Sequence, residues 1–144
     1  MNRLRKFARL DASERALVLG AACLVAAVRL GLWLLPFRML TRILRVRSLP
    51  AGSGSRFSPA RLAWAVRAVS RPIPGATCLT QALALHYLLT RAGHTSRVQI
   101  GVTRDTAGGF QAHAWVEHDS GTLLNTAPEV AHYSRLHTLE AASR

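Results

Sequence analysis

Two cysteines and six histidines are the side chains of this 144-residue chain that could carry out nucleophilic acyl chemistry unaided. A thiolate attacks a carbonyl carbon, and a nearby imidazole moves the proton. The two cysteines have unlike settings. Cys23 falls mid-way through a run of Ala, Leu and Val and reads as inert packing. Cys78 stands where "RPIPGAT" gives way to the apolar run "CLTQALALHYLLTRAG". It therefore opens a helix, where unpaired N–H groups and the helix dipole stabilise an anion. The same N–H groups suit the oxyanion of an acyl intermediate. A cysteine in apolar sequence is ordinarily a small hydrophobe, so position rather than residue type carries this reading.

Among the histidines, His86 lies two turns along the same helix, too far along its axis to reach Cys78. His94 follows the helix stop at Gly93, His118 is near a turn, and His132 and His137 occupy a tail without pattern. His113 differs. "FQAHAWVEHDSGTLLNTAP" reads as a β-hairpin around Asp119-Ser120-Gly121, with His113, Trp115 and Glu117 on one face and Ala112, Ala114 and Val116 on the other. The small neighbours leave room for a helix end to approach. A three-residue loop with a bulge at Gly121 pairs His118 with Thr122 and Trp115 with Asn125, bringing Asn125 diagonally beside His113. A two-residue turn reverses the parity and puts Thr126 there. Asn125 is preferred, because an amide oxygen accepts from an imidazole N–H, and the expected catalytic set is Cys78, His113 and Asn125. Gln81, one turn into the helix, and Trp115 are weaker candidates for oxyanion or substrate contact; a polar helix face and core packing explain them more cheaply. Asp119 reads as turn chemistry. His132 and His137 lack carboxylates or thiols in register, and no metal or other cofactor is expected.

The elements that must position these residues follow from the rest of the chain. Hydrophobic residues make up 49% and charged ones 18%, enough for one domain with a packed core. Two cysteines make no disulfide framework. The net charge is +12, and ten of the 19 Lys/Arg lie in residues 1–47 against two acids, Asp11 and Glu14. Such a chain is drawn to nucleic acid, anionic lipid or acidic peptide. Nucleic acid is not the expected partner, for no finger, aromatic sheet motif or reader helix is present. A long helix should begin at the Asp11-x-x-Glu14 pattern and end or kink at Pro36. From Ala16 to Phe37 only Arg29 is charged, so this stretch is long enough to span a bilayer. An arginine at mid-bilayer costs about 2.5–3.5 kcal/mol, which favours a packed helix. Asp11 and Glu14 also spoil a signal peptide. "PFRMLTRILRVR" sets Phe37, Leu40, Ile43 and Leu44 against Arg38, Arg42 and Arg45 at helical spacing. A Gly/Ser/Pro linker follows over Ser48 to Pro59, then a helix capped by Ser58 and running to about Val69. "SRVQIGV" alternates as a strand. The expected architecture is α+β: a basic, apolar helical lobe and linker over 1–57, and over 58–144 a core in which the cysteine helix packs on a small antiparallel sheet.

The helix-opening cysteine of "CLTQALALHYLLTRAGH", followed by "RVQIGV" and "FQAHAWVEHDSGTLLN", resembles the lasso-peptide biosynthesis B proteins, in particular the stand-alone leader-peptidase type. These are transglutaminase-like, papain-related cysteine proteases, and the resemblance is close from about Ser58 to Pro128. It implies that Cys78 is the nucleophile and His113 the base in removing the leader of a ribosomally made precursor. The family's third residue is usually an aspartate about where Asn125 or Thr126 stands; this chain has no Asp or Glu between Asp119 and Glu129, and Asn125 is expected in its place. The resemblance further implies a separate leader-recognition protein, since residues 1–57 lack the strand pattern of a fused recognition domain. It also implies a lasso cyclase as a neighbour in the pathway and a cytoplasmic location. The basic lobe over residues 1–47 is then a docking surface for such a protein or for a membrane surface. A non-catalytic scaffold presenting the precursor and an acyl-transferring relative are the rival readings.

Overall fold

The computed structural model describes residues 9–44, 56–119 and 121–140; most of the expected linker lies outside them. Among the described residues four helices come first: α1 (Ala12–Leu34), α2 (Phe37–Ile43), α3 (Pro59–Ser70) and α4 (Cys78–Arg91). Strands β1 (Ser96–Arg104), β2 (Phe110–His118) and β3 (Gly121–Leu123), a short α5 (Ala127–Val130) and β4 (Ser134–Glu140) complete the order. The strands form one antiparallel sheet in the order β3-β2-β1-β4. The architecture is α+β, as expected.

Local chemistry accounts for most boundaries. Asp11 Oδ1 accepts the Glu14 N–H at 2.7 Å and starts α1. The Ser13 hydroxyl, then that N–H, hold the Asp11 carboxyl below its usual range. Glu14 completes no capping box; its carboxylate pairs instead with Arg61 on α3. Pro36 separates α1 from α2, and Gly31 leaves room for Leu40 to close that corner: a Cβ there would stand 2.7 Å from a Leu40 methyl. Ser58 Oγ accepts the Arg61 N–H at 3.3 Å, with Pro59 in the first turn of α3. Helix α4 ends in a Schellman pair: Gly93 at φ +80° donates to Thr90 O at 3.1 Å, and His94 donates to Leu89 O at 2.9 Å.

A single hydrophobic cluster joins these elements. It takes in Val25 and Val28 of α1, Val66 of α3, Leu85 and Leu89 of α4, and Val98, Ala114 and Val116 of the sheet. Helix α4 packs on β1 and β2 and also against α1 and α3. Four consecutive residues, Ala82 to Leu85, are therefore all buried, as in a helix covered all round.

Three expectations are corrected. Cys23 is exposed, because α1 turns Ala21 and Val25 inward and Cys23 outward. The tail carrying His132 and His137 contains β4, which pairs with the far side of β1. Almost all its residues are exposed, so no alternation marks it in the sequence. Finally, the hairpin register is His118↔Gly121, Glu117↔Thr122 and Val116↔Leu123, which is a two-residue connection rather than a three-residue loop. Gly121, at φ +114°, serves as the first paired residue instead of a bulge. The ladder stops after Leu123, where Leu124 takes a left-handed φ of +72°.

Candidate active site

Cys78 is the first residue of α4 and is half-buried. The Thr77 side chain makes no capping hydrogen bond to the first turn; its hydroxyl lies 3.3 Å from that of Thr80. The first-turn N–H groups thus have no side-chain acceptor drawn across them, which leaves them directed at whatever carbonyl approaches Cys78. Gln81 is anchored: its amide Nε2 donates to Ala76 O at 3.2 Å and ties the first turn to the loop before it. Together with Arg67, Ser70, Arg71, Ile73 and Thr77 it lines a groove of ≈ 360 Å³ beside the helix start.

Helix α4 is in contact with β2, the strand that bears His113. Fourteen residues carry α4 about 21 Å from Cys78 to its end. After a short turn β1 returns along it at about 3.4 Å per residue. Within the sheet, Gly101 of β1 pairs with His113 of β2. Alternation along β2 sends Ala114 and Val116 into the core under α4 and gives His113, Trp115 and Glu117 the other face. Since β3 pairs only with Val116, Glu117 and His118, β2 has an open edge beside His113.

On its own face the imidazole is held by aromatic rings. Trp115 is 1% exposed, and its ring lies stacked against His113 with centroids 6.3 Å apart. It crosses β1 over Gly101, where a Cβ would stand 2.9 Å from a ring carbon and 3.0 Å from Ser134 O. Its Nε1 donates to Glu117 Oε1 at 3.2 Å. Glu117 also accepts from Arg135 at 2.7 Å and from Gln99 at 3.1 Å, and Gln99 accepts the Thr138 hydroxyl at 2.7 Å. This network fastens β2, β1 and β4 on the outer face and fixes the indole. Trp115 is thus buried packing that also borders His113.

Two neighbours of His113 escaped the sequence reading. The Tyr133 ring lies 5.2 Å from the imidazole and 6.1 Å from Trp115, centroid to centroid. Glu129 closes a capping box on α5, accepting the Thr126 N–H at 2.6 Å. That N–H, then the Thr126 hydroxyl and the charges of His113 and Arg67, hold the Glu129 carboxyl below its usual range. Four residues before Glu129 stands Asn125, half-buried, whose backbone carbonyl accepts the Thr122 hydroxyl at 3.0 Å. In the observed register a continued ladder would oppose His113 to Thr126, not to Asn125. The signal for Glu129 was present in the sequence as Thr126-x-x-Glu129, a capping-box pattern. Tyr133 carried none, because its place depends on how β4 docks. His86 is occupied elsewhere: its Nδ1 lies 2.8 Å from Ser96 Oγ, and burial holds its pKa below the usual value. Among the described residues no hydrogen bond joins Cys78 to His113, and no group of three or more His, Cys, Asp or Glu side chains is arranged to hold a metal.

A helix-opening cysteine packed on an antiparallel sheet with a histidine strand defines a class, and comparison with known proteins agrees with it. The transglutaminase-like superfamily profile matches residues 8–138, and the chain belongs to that superfamily. Cysteine-type enzymes are common in it. The match runs through α1 as well as the sheet. No curated protein and no solved structure matches the chain significantly.

Proposed function

We propose that this protein is a cysteine peptidase that removes the leader peptide from a ribosomally synthesised lasso-peptide precursor. The observation that carries the reading is Cys78 at the first position of a helix packed on the strand that bears His113, in a transglutaminase-like chain. His113 lies on the sheet face opposite the one that packs under α4, so the reading requires thiol and imidazole to meet around the open edge of β2, with the contact tightening when substrate binds.

His113 takes the Cys78 proton, and the thiolate adds to the carbonyl carbon at the leader–core junction. The oxyanion accepts from backbone N–H groups of the first turn of α4. As the C–N bond breaks, His113 gives its proton to the departing amine of the core peptide, leaving the leader as a thioester on Cys78. Water, deprotonated by His113, then adds to the thioester, and the leader carboxylate and free thiol are released. Trp115 and Tyr133 keep the imidazole plane fixed through both steps. The register observed in the hairpin favours Thr126 over Asn125 as the residue beside His113 that orients the imidazole.

The test is incubation of precursor with a separate leader-recognition protein and enzyme, read by intact mass. Leader and core with one added water support peptidase action, and loss of cleavage in Cys78→Ala assigns it. Cleavage unchanged in Cys78→Ala would leave the chain a presenting scaffold. An amine joined to the precursor without a split would make it an acyl transferase.

A further inference from the structure

We propose that the bare face of α1, continued by α2, rests in the plane of a lipid surface bearing anionic headgroups. The proposal stands apart from the peptidase reading. Leu19, Cys23, Ala26, Leu30 and Trp33 recur at steps of four and three residues, and all five are exposed. They form one apolar stripe along α1, with Trp33 76% exposed at its end and Leu34 beside it. Beyond Pro36, Met39 and Ile43 extend the surface and are themselves exposed. A contiguous apolar surface of this kind marks an interface rather than an ordinary exterior.

The opposite face shows which kind of interface it is not. Val25 is fully buried and Val28 nearly so, against α3 and α4. Arg29 lies against the turn before Cys78: a Cβ on Gly75 would stand 2.6 Å from its Nε. A spanning α1 would carry its packed partners, the Glu14–Arg61 pair and Arg29 into the hydrocarbon, so it lies on the bilayer rather than through it. Charge selects the occupant. Residues 1–47 hold ten cations and two acids, and both acids are spoken for: Asp11 by its cap, Glu14 by Arg61. Exposed Arg38 and Arg42 flank Met39 and Ile43 on α2. Two copies of a surface edged by Arg38 and Arg42 repel each other, whereas anionic headgroups attract it and the apolar stripe enters the acyl boundary. The surface also borders the candidate site. Ala26, Leu30 and Trp33 form one wall of a ≈ 260 Å³ groove whose other side is Ile73, in the loop leading to Cys78.

The full chain is sedimented with vesicles of phosphatidylcholine alone or mixed equally with phosphatidylglycerol. The expected result is binding to the mixed vesicles, weakened at least tenfold by 0.5 M salt or by removal of the anionic lipid. Arg38→Glu with Arg42→Glu should weaken it by about 30-fold or more, taking about fivefold for each basic residue lost. Trp33→Glu should do likewise, with the thermal midpoint unchanged because that side chain is solvent-facing. A readout that needs no substitution is maleimide labelling of Cys23, which the anionic vesicles should slow and neutral ones should not. Equal binding to both vesicle types, binding indifferent to Trp33→Glu, or Cys23 labelling unaffected by anionic vesicles would overturn the proposal. Self-association of the chain without vesicle binding would do so too, and would point to a second copy as the occupant.

Discussion

At the scale of single residues, chemistry follows from where a side chain is mounted. Two thiols of the same intrinsic reactivity sit on helices, yet only Cys78 faces first-turn N–H groups and neighbours a histidine strand. Cys23→Ala is accordingly expected to leave precursor cleavage within about twofold of wild type, whereas Cys78→Ala should lower it by at least about 10³-fold. The orienting group is a finer matter. With Thr126 opposite His113 in the observed register, Thr126→Val should lower kcat by at least about tenfold with KM little changed, and by more than Asn125→Ala does, since an imidazole free to rotate loses transition-state contact rather than substrate affinity. A KM rise at constant kcat would instead make Thr126 a substrate contact. The helix that Cys78 opens and the strand that carries His113 were legible in the sequence because each is announced locally, by a Pro/Gly turn before the helix and by alternation along the strand. The partner of His113 was not, because one residue of turn length decides which side chain lies opposite it. Glycine at 121 admits either turn.

At the scale of elements, the site depends on two clamps. The first is Gly101, which lets the Trp115 ring cross β1 and lie against His113. Gly101→Ala puts a methyl into both the ring and a backbone carbonyl, so it should cost about 1–3 kcal/mol of stability by urea denaturation. It should lower cleavage by more than the loss of folded protein explains. The second clamp is the His86–Ser96 contact between α4 and the start of β1. Burial lowers the folded pKa of His86 from the ordinary 6.5. In the window below 6.5 and above the depressed folded value, the unfolded chain binds a proton that the folded chain does not. Stability is therefore complete above 6.5 and falls as the pH drops through that window. Thermal midpoints between pH 5 and 8 should decline below about 6.5 in wild type and decline less in His86→Gln. Helices and caps were readable because their signals are local: Asp11, Ser58, Pro36 and Gly93 each act within one turn. Strand β4 was not. It is an edge strand with nearly every residue exposed, and only its pairing with β1 makes it a strand.

At the scale of the whole molecule, α1 belongs to the same hydrophobic cluster as the cysteine helix, and this has a measurable consequence. Val25→Ala should destabilise the entire fold, by about 1–3 kcal/mol, although it lies far along the chain from Cys78. Leu19→Ser, on the bare face of the same helix, should change stability by no more than about 0.5 kcal/mol. Equal effects would mean that α1 is not docked as described. The charge asymmetry was plain from the sequence, but which side of α1 is covered was not. Its residues are apolar nearly all round, so only tertiary packing separates the Val25 face from the Leu19 face. The most direct measurement of the central claim, that Cys78 is the activated nucleophile, compares the protein's own two thiols. Peptide mass spectrometry after brief iodoacetamide treatment at pH 6–7 gives the labelling rates of Cys78 and Cys23 in one sample. Accessibility alone favours Cys23, which is exposed, over half-buried Cys78. The account predicts that Cys78 reacts faster nonetheless, and that the preference disappears in His113→Ala. Faster labelling of Cys23, or a ratio that His113→Ala leaves unchanged, would contradict it.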